Sequence, residues 1–143
     1  MGVRFLKIAV IYLAIGVIAG IVIGISHQFQ YAPVHAHLSL LGWASLALAG
    51  LTYHLYPQAA QTRLARLHFW LHNLGLPVFL AGMFLRIAGQ DIADPLLKVG
   101  ALTTLLGVQL FVVNVICNVR GAESALTTRQ SGLSAQAHVP EAR

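Results

Sequence analysis

The chain has 143 residues, of which 57% are hydrophobic and 9% charged, where an ordinary soluble domain carries roughly 25% charged residues. That balance excludes a soluble globular protein, and the length fits a single domain. Nine Lys and Arg against four Asp and Glu give a net charge of +5, but the basic residues are scattered, which excludes a nucleic-acid-binding patch.

Four apolar stretches are each long enough to cross a bilayer as a helix, which takes roughly 20 residues: Phe5–Ile25, Leu38–Tyr56, Leu67–Leu85 and Leu96–Val119. The hydrocarbon core offers no water, so each must satisfy its backbone internally as a helix. The fold class expected is an all-α membrane protein, a four-helix transmembrane domain over 1–120. A Ser-, Ala-, Thr- and Gln-rich tail over 121–143 reads as poorly ordered.

The first span follows Arg4 and Lys7, but its apolar core exceeds the usual 7–15 residues of a signal peptide and no A-x-A site follows, so it reads as a retained helix. Gly16, Gly20 and Gly24 form a ladder of small residues along it, a close-packing face for a helix of the same or another subunit. Pro33 ahead of the second span, Pro57 after it and Pro95 before the fourth mark ends. Pro77, inside the third, predicts a kink. In the fourth span, Asn114 and Asn118 share a face and read as hydrogen-bonding glue between helices. Cys117 is the one cysteine and stands in an apolar run, so no disulfide framework or CxxC motif is present.

Orientation follows from the basic residues. Arg4, Lys7, Arg63, Arg66, Arg120, Arg129 and Arg143 fall on one side, which the positive-inside rule makes cytoplasmic. Arg86 and Lys98 fall on the other, beside Asp91 and Asp94. The expectation is a multi-pass protein of a bacterial-type inner membrane with both termini cytoplasmic.

Seven histidines are the anomaly in so apolar a chain. His27, His35 and His37 fall at the outer face; His54, His68 and His72 at the inner one; His138 lies in the tail. Ionisable residues in or near membrane spans are costly and point to function. A helix turns about 100° per residue, so His35 and His37, two apart, project onto opposite faces. They suit two different sites, one on each side of the helix, better than one shared metal. His68 and His72, four apart, share a face and with His54 form a candidate second metal site. Interfacial packing with Trp70, Tyr53 and Tyr56 explains that group equally well.

The stretch His35-Ala-His37-Leu-Ser-Leu-Leu-Gly42-Trp43, continuing to Leu51-Thr-Tyr53-His-Leu-Tyr-Pro57, resembles the tenth helix of the haem–copper oxidase large subunit, nearest the nitric oxide reductase branch. The resemblance implies that the two histidines bind two different haems. That large subunit has twelve helices in three pseudo-equivalent groups of four, so a four-helix chain similar to one group implies a homotrimer. Each intersubunit site would take His35 from one protomer and His37 from the next, giving bis-histidine haem b without a covalent CxxCH attachment. Arg86, at the same depth, suits a clamp on the haem propionates and an anchor at the lipid headgroups equally well.

The family's binuclear reduction site also needs two adjacent histidines near the outer end of a seventh helix. The corresponding third helix here carries His68 and His72 at its other end, and no Glu cluster suggests a non-haem iron. The chain thus resembles oxidoreductase subunits, cytochrome c oxidase and nitric oxide reductase, without a complete reduction centre. The expected roles are electron transfer, gas binding or haem handling, with a redox partner protein or quinol. Two alternatives are a di-haem cytochrome within one bundle and a copper- or zinc-binding membrane protein, for which no Met- or Cys-rich metal path is present.

Overall fold

A computed structural model describes residues 1–119. The proposed tail 121–143 and His138 lie outside the described residues. Within them are four helices long and apolar enough to cross a membrane: α1 Gly2–Ser26, α2 Phe29–Leu55, α3 Arg63–Ile87 and α4 Ala93–Asn118. The described residues contain no strand.

α1 ends where His27 takes a left-handed backbone conformation, φ 54°, the usual way to stop a helix and a conformation that histidine tolerates better than most side chains. A single tight turn, Phe29–Tyr31, then opens α2. The second helix therefore starts nine residues before Leu38, the boundary expected from sequence. Pro33 does not precede it but sits in its first α-helical turn, where a missing N–H costs nothing because that N–H has no helical partner. His35 and His37 consequently lie inside regular helix. Next comes a π-helical stretch, Leu38–Ser45, in which the Ser45 hydroxyl donates to the Leu40 carbonyl at 2.8 Å. Long π segments are rare and concentrate at functional sites.

Pro57 ends α2 and opens the short turn Pro57–Ala60. Thr62 then caps α3, its hydroxyl accepting the Ala65 N–H at 3.1 Å. Pro77 does not break α3, which runs through it to Ile87.

Packing makes two hairpins. On the α3–α4 side, backbones meet with glycine between them. A Cβ on Gly107 would stand 2.8 Å from the backbone nitrogen of His72, one on Gly75 would stand 2.7 Å from the backbone nitrogen of Thr104, and one on Gly100 would fall on the Phe79 backbone. On the α1–α2 side, Gly16 faces Leu38 and Ser39 and Gly20 faces the His35 ring, while Gly24 meets nothing within 4 Å. Two rungs of the small-residue ladder are thus used within the chain. Phe5, Leu46 and Tyr53 with five alanines fill the core near the end where α1 begins and α4 ends. Leu38, Leu76 and Leu80 join the hairpins nearer the opposite end. Much of the remaining surface is bare Val, Leu and Ile, as lipid or a partner helix requires. Four such spans make this a multi-pass membrane protein.

Candidate functional site

His35 and His37 stand on opposite sides of α2, as their spacing requires. The His35 ring lies over Gly20 of α1, close enough that a Cβ there would stand 3.0 Å from its Cε1. It lines a cleft of about 310 Å³ between α1 and α2, shared with Val22, Ser26, Tyr31 and Phe84. Its Nδ1 is buried without a hydrogen-bond partner among the described residues. A buried polar atom left in that state costs about 1–3 kcal/mol.

His37 faces the other way. Its ring meets Phe79 of α3 edge-on at 5.2 Å, and it borders a groove of about 280 Å³ with Leu41, Phe79 and, on α4, Thr104 and Leu105. Nδ1 of His37 lies 2.8 Å from the Pro33 carbonyl. A carbonyl only accepts, so Nδ1 carries the proton and donates, and Nε2 keeps its lone pair. Metal-binding histidines are commonly fixed in this way, with one nitrogen donating to a carbonyl and the other free for the metal. Each hollow is thus an apolar recess with one imidazole, the composition expected of a cofactor site.

Arg86 is at the same end of the molecule but forms an ion pair with Asp94 across the α3–α4 connection, where both side chains are about half exposed. His27 is exposed at the cap of α1.

The other histidines part company. His54 is exposed and lies beside Met1 and Gly2, whereas His68 and His72 are each 1% exposed. His72 Nε2 is 3.0 Å from the Leu41 carbonyl, so it donates there and its Nδ1 can only accept. His68 Nε2 supplies that proton across 3.4 Å, which leaves His68 Nδ1 to accept from the Tyr53 hydroxyl at 3.1 Å. The Tyr53 oxygen in turn accepts from Asn114 Nδ2 at 3.2 Å. Asn114 spends its other proton on the Ala59 carbonyl and its oxygen on Thr62 and Asn118. One fixed direction of donation therefore runs from Asn114 to Leu41, and it uses every ring nitrogen of both histidines.

None of those nitrogens offers a lone pair to a metal, and His54 is not brought to them. Among the described residues, no group of three or more His, Cys, Asp or Glu is placed to hold a metal ion. Asn114 is the glue between helices that its sequence suggested, whereas Asn118 bonds Asn114 of its own helix; the partners of Asn114, which are Tyr53, Ala59 and Thr62, were not legible. Tyr53 and Asn114 are 61 positions apart, and the one available signal was the amides Gln109, Asn114 and Asn118 in a largely apolar helix.

No family model matches the chain, and no solved structure matches it. The cbb3-type cytochrome c oxidase subunit CcoN1 of Stutzerimonas stutzeri is 27% identical over 101 residues, which covers 62% of this chain and 21% of that protein. The chain thus spans about a fifth of its relative's length. This similarity supports a distant relation to the haem–copper oxidase large subunit. It falls on an oxidase subunit and gives no support to the nitric oxide reductase branch suggested by the second helix.

Proposed function

We propose that the protein is an electron-transfer haem protein of the bacterial inner membrane, holding haem b between subunits of a homotrimer with His35 of one protomer and His37 of the next as axial ligands. The observation that carries this is the pair of recesses on opposite sides of α2, each with a single imidazole. His37 is oriented for a metal by its bond to the Pro33 carbonyl, and His35 has a buried nitrogen that nothing among the described residues satisfies. One recess supplies one ligand, and a six-coordinate haem needs two. Because the two recesses differ, the interface they imply is head-to-tail and closes as a ring. The similarity to a cytochrome c oxidase subunit supports the same reading.

A bound haem b would supply a one-electron iron couple. With His35 and His37 both holding the iron, no position would be left for O2 or NO, so electron transfer is favoured over gas binding. Copper and a second haem within one bundle are less favoured, because His68 and His72 have no free nitrogen. Arg86 reaches a propionate only by leaving Asp94. The donor would be a quinol or a redox protein.

The test is spectroscopic. His35→Ala and His37→Ala should each abolish the six-coordinate low-spin spectrum, since neither ring can replace the other across α2. Co-assembling the two variants in equal amounts should restore about a quarter of the sites, the chance that an intact His35 meets an intact His37 in a randomly mixed ring. Low-spin haem surviving either single substitution refutes that ligand. Native mass spectrometry showing only monomers refutes the intersubunit site.

A further inference from the structure

The buried chain from Asn114 to Leu41 ends on a backbone carbonyl. A carbonyl accepts a hydrogen bond but does not take up a proton and pass it on, so the chain is not a conducting wire. Its end point is the informative part. Leu41 lies in the π-helical stretch Leu38–Ser45, one turn beyond His37, and lines the same groove. A π-helical carbonyl pairs with the fifth residue along rather than the fourth, and its second lone pair is open to a donor from another helix. His72, reaching across from α3, is such a donor.

His72 has little freedom of its own. His68 holds its Nδ1, Tyr53 and Asn114 hold His68 in turn, and the close approach of Gly107 fixes its backbone against α4. On the far side of the π segment, Gly42 lies under the Tyr12 ring, where a Cβ would come within 2.6 Å of ring atoms. The segment after His37 is therefore gripped from α3 on one side and α1 on the other. We infer that His72 is a positioning residue: through the Leu41 carbonyl it locks the π-helical register of α2 and thereby sets the orientation of the His37 ring. This rests on the reading of His37 as a haem ligand.

The experiment uses the full chain in detergent with His72→Phe, which keeps a ring but no donor, His72→Gln, which keeps an N–H, and Tyr53→Phe. In haem-free protein, amide exchange over residues 38–45 should be about tenfold faster in His72→Phe, the change that loss of one ordinary hydrogen bond allows, and near wild type in His72→Gln. In haem-loaded protein, His72→Phe should keep bound haem but shift the low-spin electron paramagnetic resonance g-values and the midpoint potential. His72→Gln should restore both, and Tyr53→Phe, which loosens His72 only at second hand through His68, should shift both less than His72→Phe while lowering thermal stability.

Unchanged exchange and g-values in His72→Phe overturn the proposal. So does an equal shift in Tyr53→Phe, which marks general loosening. If His72→Phe does not accumulate, a shifted signature in His72→Gln overturns it as well. Wild-type protein that binds no haem refutes the functional reading instead, and the exchange rates alone then decide whether His72 locks the segment.

Discussion

Replacing Gly20 tests whether the His35 ring has one seat. A Cβ there would stand 3.0 Å from Cε1 and 3.4 Å from each ring nitrogen, against about 3.5–4.0 Å for carbon atoms in ordinary contact. Gly20→Ala therefore displaces the ring by roughly 0.5–1 Å. A side chain pushed that far off its rotamer costs about 0.5–1.5 kcal/mol, while Gly→Ala inside a helix returns about 1 kcal/mol. The two nearly cancel, so Gly20→Ala should fold as well as wild type with a shifted low-spin spectrum. Gly20→Val is different, because its branched methyls fill the volume that the imidazole now holds. It should fold but lose the low-spin haem. Gly24→Val, one turn further along the same ladder, meets nothing within 4 Å and should leave the spectrum unchanged. Haem content, the Soret and α bands and thermal melting of the three variants form the assay. A wild-type spectrum in Gly20→Val at full haem content would refute the argument, and equal losses in the Gly20 and Gly24 variants would show that the whole helix face matters rather than the ring.

Two further substitutions test the packing that holds the recesses in place. Gly100→Ala puts a methyl group on the Phe79 backbone, so α3 and α4 must separate, and its melting temperature should fall far below that of Gly24→Ala; equal melting would show that the helices do not touch there. Asn114→Leu removes both amide donations, to Tyr53 and to the Ala59 carbonyl, and the amide oxygen that serves Thr62 and Asn118. At about 1–3 kcal/mol for each buried group left unpaired, it should melt well below wild type, and a wild-type melting curve would refute a fully satisfied network.

Composition and hydropathy determined the four spans, because a bilayer admits one solution for a long apolar segment: a helix that satisfies its own backbone. The divergence of His35 and His37 was equally legible, since it follows from helical pitch alone once the segment is helical. Where α2 starts was not, because Pro33 reads as a boundary in sequence yet is accepted without loss in a first turn. The π segment was also hidden: Leu38–Ser45 is as apolar as the rest of the helix, and nothing in its residue types distinguishes bonding to the fifth residue from bonding to the fourth. The fate of the inner histidines was decided by tertiary structure alone. His54, His68 and His72 have the same chemistry and sit at the same end of the chain's spans. Which of them bind one another depends on which helix faces which: His72 stands against Gly107 of α4 and reaches the Leu41 carbonyl, while His54 is exposed beside Met1 and Gly2. A lone pair is available to a ligand only where no neighbouring N–H or O–H has already claimed it, and that is a property of the packed molecule.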